Sequence, residues 1–211
     1  MELQAQIDGT RESVTCIQII LTLSGLSYKQ HDFKSSVQYA RQSVETLKAL
    51  SEAHDKVNPA LQAQLAPAMA QSEQGYGMAL LQSGQYKEAR EALEQCTRAY
   101  ESILGTRVHA VLVVVLNTLG QVCWELEQFD VATTYLTEAL NASIKINGRS
   151  SITTGVALSR LGNVARCQRN YDSARSQCTD GLDTLVKATE TREKEYHAEC
   201  LCNLGTFATL L

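Results

Sequence analysis

A short phrase recurs along this chain every 42–43 residues. In each copy a leucine or tyrosine precedes a glycine, an aromatic follows nine residues after the glycine, and alanine comes three residues later. The copies read Tyr76-Gly77, Tyr86, Ala89; then Leu119-Gly120, Phe129, Ala132; then Leu161-Gly162, Tyr171, Ala174. Leu204-Gly205 begins another, and Leu23-Ser24, Phe33, Ser36 is an eroded first copy. Self-similarity at this period marks a stack of like supersecondary units, each burying its apolar face on its neighbours. Such arrays act chiefly as surfaces that hold other chains. The function is therefore to be sought in a groove rather than in a catalytic pocket.

Within the unit that starts near Val111, Leu116, Leu119 and Val122 form one apolar stripe at helical spacing. Glu127-Gln128 interrupts it, and Phe129, Ala132, Leu136 and Ala139 form a second stripe that ends at Asn147-Gly148. Each unit is thus two antiparallel helices joined by a short turn. First helices are expected near 12–29, 67–83, 108–126, 151–168 and 193–210, and second helices near 33–51, 86–104, 129–146 and 171–188. The expected architecture is all-α, a right-handed solenoid of antiparallel helix pairs. It forms one domain over 1–211, with pairs near 12–51, 67–104, 108–146 and 151–188 and a terminal helix near 193–211. The glycines fall where a first helix approaches its partner closely. Ser43, Cys96, Ala139 and Gly181, ten residues after each aromatic, are the small residues opposite. The step from Ser24 to Gly77 is about ten residues longer than the others. The surplus falls around His54-Asp55-Lys56-Val57-Asn58-Pro59, read as an insertion or a contact element.

These residues resemble the tetratricopeptide repeat family. Within it, the long period resembles the kinesin light chain subclass. The strongest likeness is Ile103-Leu104-Gly105-Thr106-Arg107-Val108-His109-Ala110-Val111, followed by Leu116-Asn117-Thr118-Leu119-Gly120. It is similar to the light-chain phrase of Leu-Gly, a His-Pro helix start, then Leu-Asn-Asn-Leu. Pro67 is read as a helix-start proline in the preceding unit. The resemblance implies a concave face lined by the first helices, along which a peptide or helix of a partner lies.

Positions on that face must avoid the packing stripe. In the third unit they are Asn117, Gln121, Trp124 and Glu125, and in the fourth Ser159, Asn163, Arg166 and Cys167. In the second they are Gln74, Met78, Leu81 and Gln82, and in the partial fifth Glu199, Cys202 and Thr206. Asn117 and Asn163 carry donors and acceptors that suit the backbone of an extended peptide. Trp124, the single tryptophan, is either a groove anchor or a ring packed on the neighbouring pair. Arg166 pairs with an acidic ligand residue, bridges to Glu125, or is solvated.

Other chemistries find little support. No phosphate-binding loop, dinucleotide fingerprint, zinc-protease motif or nucleophile elbow is present. His197, Cys200 and Cys202 match no common zinc spacing. No enzyme activity, metal or cofactor is expected. A net charge of −4 gives no strong pull toward nucleic acid or membrane, and no apolar run reaches the ~18 residues of a spanning helix. Seven cysteines, mostly in apolar helical stretches, fit free thiols in a reducing cytoplasm. Asn141-Ala142-Ser143 matches a glycosylation acceptor but falls inside an expected helix. The reading is a cytoplasmic adaptor that binds a partner's peptide. The alternative is an assembly or regulatory segment of a larger multidomain protein, acting through self-association at an uncapped end with Phe207, Leu210 and Leu211 or through intramolecular packing.

Overall fold

The computed structural model describes residues 2–54 and 59–189, with side chains over 15–52 and 65–188. Eight helices lie among the described residues: α1 (Glu2–Lys29), α2 (Phe33–His54), α3 (Pro59–Gln82), α4 (Tyr86–Leu104), α5 (Ala110–Glu125), α6 (Phe129–Asn147), α7 (Ile152–Cys167) and α8 (Tyr171–Thr189). No strand occurs among them. Internal contacts group the chain into two compact units, residues 1–103 and 104–211, and each is described by itself. The terminal helix expected near 193–211 lies outside the described residues. So do His197, Glu199, Cys200, Cys202, Thr206, Phe207, Leu210 and Leu211.

In the first unit α2 packs on α1 and α3, and α1 also touches α3. The surplus between the first two pairs lengthens both flanking helices: α2 runs to His54 and α3 starts at Pro59. Residues 55–58 of the surplus lie outside the described residues. This corrects the reading of Pro67 as a helix-start residue. Pro59 occupies that place, and Pro67 lies inside α3. Proline fits the first turn because its missing N–H has no partner there. At an interior position it withholds a hydrogen bond from the carbonyl four residues back.

The second unit repeats one motif. α5 packs on α6, α6 on α7, α7 on α8, and the two first helices α5 and α7 also touch. The small residues explain the closeness. A Cβ on Gly120 would strike the Leu136 side chain, and one on Gly162 would strike Cys178 Sγ and approach the Ala174 carbonyl oxygen to 3.1 Å. In the first unit the same place on α3, Gly77, faces Leu93 of α4. In the eroded copy, Ser24 and Ser36 each donate a hydroxyl to the other's carbonyl oxygen at 3.0 Å. Two buried hydroxyls thus pair where later copies use glycine against alanine.

The turns within the pairs share a backbone device. His31, Gly84, Glu127 and Arg169 all adopt a left-handed conformation, with φ of 60°, 78°, 58° and 62°. These four residues occupy the same place in the repeat. Capping finishes the starts of the second unit's first helices. His109 accepts the Val111 N–H at 3.3 Å, and Ser151 accepts that of Thr154 at 3.2 Å. The Ser143 hydroxyl lies within 2.7 Å of Thr153 Oγ1 and 2.8 Å of Thr154 Oγ1, tying α6 to the start of α7. Ser143 is buried, whereas Asn141 of the Asn141-Ala142-Ser143 tripeptide is exposed on α6.

Candidate peptide-binding face

The adjoining first helices α5 and α7 carry most of the expected groove residues. Their apolar sides are anchored by one cluster: Cys123 of α5, Ala132 and Leu136 of α6, and Leu161 and Val164 of α7. Helical geometry then turns Asn117, Gln121 and Trp124, which follow one another at intervals of four and three, onto one strip of α5. Ser159, Asn163 and Arg166 form the corresponding strip of α7 at the same intervals.

Two cross-links hold these strips in register. Arg160 of α7 reaches back to α5, where its Nη1 donates to the Asn117 carbonyl oxygen at 2.9 Å and its Nη2 to Gln121 Oε1 at 2.8 Å. Trp124 donates its indole N–H to Cys167 Sγ at 3.2 Å. Its ring packs on the Cys123–Leu136–Val164 cluster while staying half-exposed. Packing on the neighbouring pair is thus what the structure gives Trp124, with part of the ring left open to solvent.

Polar atoms on the same strips remain unmatched. Asn117 is only 4% exposed, and its Oδ1 has no hydrogen-bond partner among the described residues. The same holds for Asn163 Oδ1 and Arg166 Nε, both buried atoms of half-buried residues. Arg166 and Glu125 form no ion pair among the described residues, although Glu125 is half-buried on α5. Ser159 is buried, with Cys167 half-buried beyond it. Buried polar atoms are nearly always paired in folded proteins. Two amide oxygens and a guanidinium N–H on these strips depart from that rule.

The expected residues of the second repeat sit on α3, in the first unit. Gln74 and Met78 are half-buried and Gln82 is exposed. Leu81, expected on the open face, is buried, as Asn117 and Ser159 are on the later first helices. One residue of the face escaped the sequence reading altogether. Arg160 occupies the register place held by Thr118 and Gly75 in the earlier copies. A long cation where the other repeats carry small residues was the available signal.

Among the described residues, thiols and metal ligands form no second cluster. None of the five described cysteines belongs to a disulfide: Cys96, Cys123 and Cys178 are buried, Cys167 is half-buried and Cys16 is exposed. No cluster of three or more His, Cys, Asp or Glu side chains suited to a metal occurs among the described residues.

Residues 74–102 and 111–185 match family models of the tetratricopeptide repeat. The chain carries tetratricopeptide repeats. No curated protein matches the sequence. Among solved structures, BtubC (BKLC) from P. vanneervenii matches with a TM-score of 0.69 at 16% identity, covering 99% of this chain and 84% of that one. Apo RapI matches with a TM-score of 0.69 at 17% identity, covering 93% of this chain and 49% of that one. A Rap protein complexed with Competence and Sporulation Factor matches with a TM-score of 0.63 at 12% identity, covering 92% and 54%. The chain spans about half the length of the two Rap structures. At these identities the likeness establishes the fold, an all-α helical-repeat solenoid.

Proposed function

We propose that the α5–α7 face is a non-enzymatic display surface that captures a peptide segment of a partner protein. The observation that carries this reading is the set of unmatched polar atoms on adjoining first helices: Asn117 Oδ1, Asn163 Oδ1 and Arg166 Nε. A buried acceptor without a donor costs about 1–3 kcal/mol. The backbone N–H groups of an extended peptide supply such donors, and a ligand carboxylate suits Arg166. Gln121, Trp124, Glu125 and Ser159 complete the face, and Gln74 is the corresponding residue of the repeat before. The ligand is a peptide of mixed polar and apolar character. Nothing in the face selects a purely acidic tail.

The cross-links from Arg160 and Trp124 favour display as the mechanism. They fix the strip before a ligand arrives, which lowers the ordering cost of binding. The repeats support an interaction role in general terms. The matching Rap protein was solved with Competence and Sporulation Factor bound, which adds support for a peptide ligand by likeness of fold alone. The 42–43-residue period supports the kinesin light chain-like form of the repeat. Free thiols support a reducing cytoplasmic setting. No described helix is long and apolar enough to cross a membrane.

The test is a peptide-array and pull-down screen of wild type against Asn117→Ala/Asn163→Ala, with helicity checked by circular dichroism. The expected outcome is a ligand set lost in the double variant. Full retention of every ligand would remove the α5–α7 face from the account.

A further inference from the structure

The first helices of the later repeats bury one particular face. In α7 it carries Ala157, Leu161 and Val164, all buried, and Leu161 and Val164 share a core cluster with Ala132 and Leu136 of α6. In α5 the same register places hold Val115, Leu119 and Val122, again all buried. Counted from Ser24, the place of Gly120 and Gly162, the equivalents in α1 are Ile19, Leu23 and Leu26. The Ser24–Ser36 hydrogen bonds show that this alignment is physical, because they sit where Gly162 meets the Ala174 carbonyl. Yet Ile19, Leu23 and Leu26 are 56%, 40% and 51% exposed. Their spacing of four and three residues sets them in one stripe.

We propose that this stripe docks an amphipathic helix built like a second helix of this repeat. Such a helix carries an aromatic, then alanine three residues on and leucine four beyond that, as Phe129, Ala132 and Leu136 do in α6. The argument is equivalence with the established α6–α7 interface: α1 exposes the surface that α7 uses against α6. The chemistry of the stripe agrees. No charged residue lies between positions 15 and 28, so an ionic partner finds nothing to pair with there. Three large apolar side chains, each still about half exposed, supply the attraction by leaving water. This site stands apart from the α5–α7 face and does not depend on it.

The test titrates the full chain with a synthetic peptide of the α6 sequence, residues 129–147, followed by isothermal calorimetry. One-to-one binding is expected. It should weaken about a hundredfold in Ile19→Glu/Leu23→Glu/Leu26→Glu. It should persist in Lys34→Glu/Gln38→Glu, which changes net charge equally on exposed places of α2, and in Asn117→Ala/Asn163→Ala. Should the glutamate triple variant lose helicity, Ile19→Ser/Leu23→Ser/Leu26→Ser takes its place. Absence of binding to wild type, or undiminished binding to the stripe variants, would overturn the proposal. Wild-type dimers that dissociate in the stripe variants would overturn it too, by assigning the stripe to a second copy of this chain.

Discussion

Glu127 and Arg169 pay for turns that a glycine makes freely. Both hold φ near 60°, in the register place where Gly84 sits. A side chain there costs about 1–2 kcal/mol through crowding of Cβ against the following carbonyl. Glycine recovers this but loses roughly 0.5–1 kcal/mol more backbone entropy on folding. Glu127→Gly and Arg169→Gly should each therefore raise the unfolding free energy by about 0.5–1 kcal/mol, while Gly84→Ala should lower it. Urea unfolding followed by circular dichroism checks all three. At this scale the sequence was legible wherever a residue's size alone decides its role. Gly120, Gly162, Ala132 and Ala174 announce close helix contacts because only small residues fit there. Arg160 was hidden because its place in the repeat otherwise holds Thr118 or Gly75, and only the neighbouring helix shows what its guanidinium reaches. The left-handed turns were equally hidden, since nothing in Glu127 or Arg169 advertises a positive φ.

At the scale of elements, α4 meets α3 through a buried thiol. Cys96 of α4 is buried and donates its thiol to the Ala70 carbonyl oxygen of α3 at 3.3 Å. Burial, reinforced by the nearby Glu73 carboxylate, pushes the Cys96 thiol up from 9.0 to about 12. Burial, and secondarily Cys96 itself, also raises Tyr100. The fold thus favours the neutral thiol. Its contribution to stability is complete below pH 9 and is lost as pH rises from there toward 12. Unfolding titrations at a series of alkaline pH values should show wild type weakening by on the order of 1–2 kcal/mol by about pH 10.5. Cys96→Ala should show a shallower decline. Lys48 lies 3.0 Å from Glu73 and keeps that carboxylate paired in its buried place. Helix limits were legible where a repeat copy was intact: α4, expected over 86–104, runs Tyr86–Leu104, and α6, expected over 129–146, runs Phe129–Asn147. They were less so around Pro67. A proline at the expected start looked decisive, but Pro59 makes the start eight residues earlier and the helix carries Pro67 in its interior.

At the scale of the molecule, the repeat accounts for the stability of each unit and for the face proposed to bind a peptide. Packing uses the same few places in α5 and α7, so the remaining face of each of these helices is free to differ between the two repeats. The α5 and α7 faces differ in this way: Asn117 and Ser159 share a register place, as do Gln121 and Asn163, and Trp124 and Arg166. The sequence reading reached this strip by subtracting the packing positions from each first helix. It did not indicate which polar atoms stay unmatched, a property of three-dimensional burial. Trp124, the single tryptophan, sits half-exposed within the strip and serves as its own reporter. The most direct measurement is a fluorescence titration of Trp124 with a peptide selected on the array, in wild type and in Asn117→Ala/Asn163→Ala. The account predicts a saturable change in wild type and a loss of affinity of at least about tenfold in the double variant, given that each lost buried hydrogen bond costs roughly 1 kcal/mol. A peptide that binds both proteins equally, without disturbing Trp124, would contradict it.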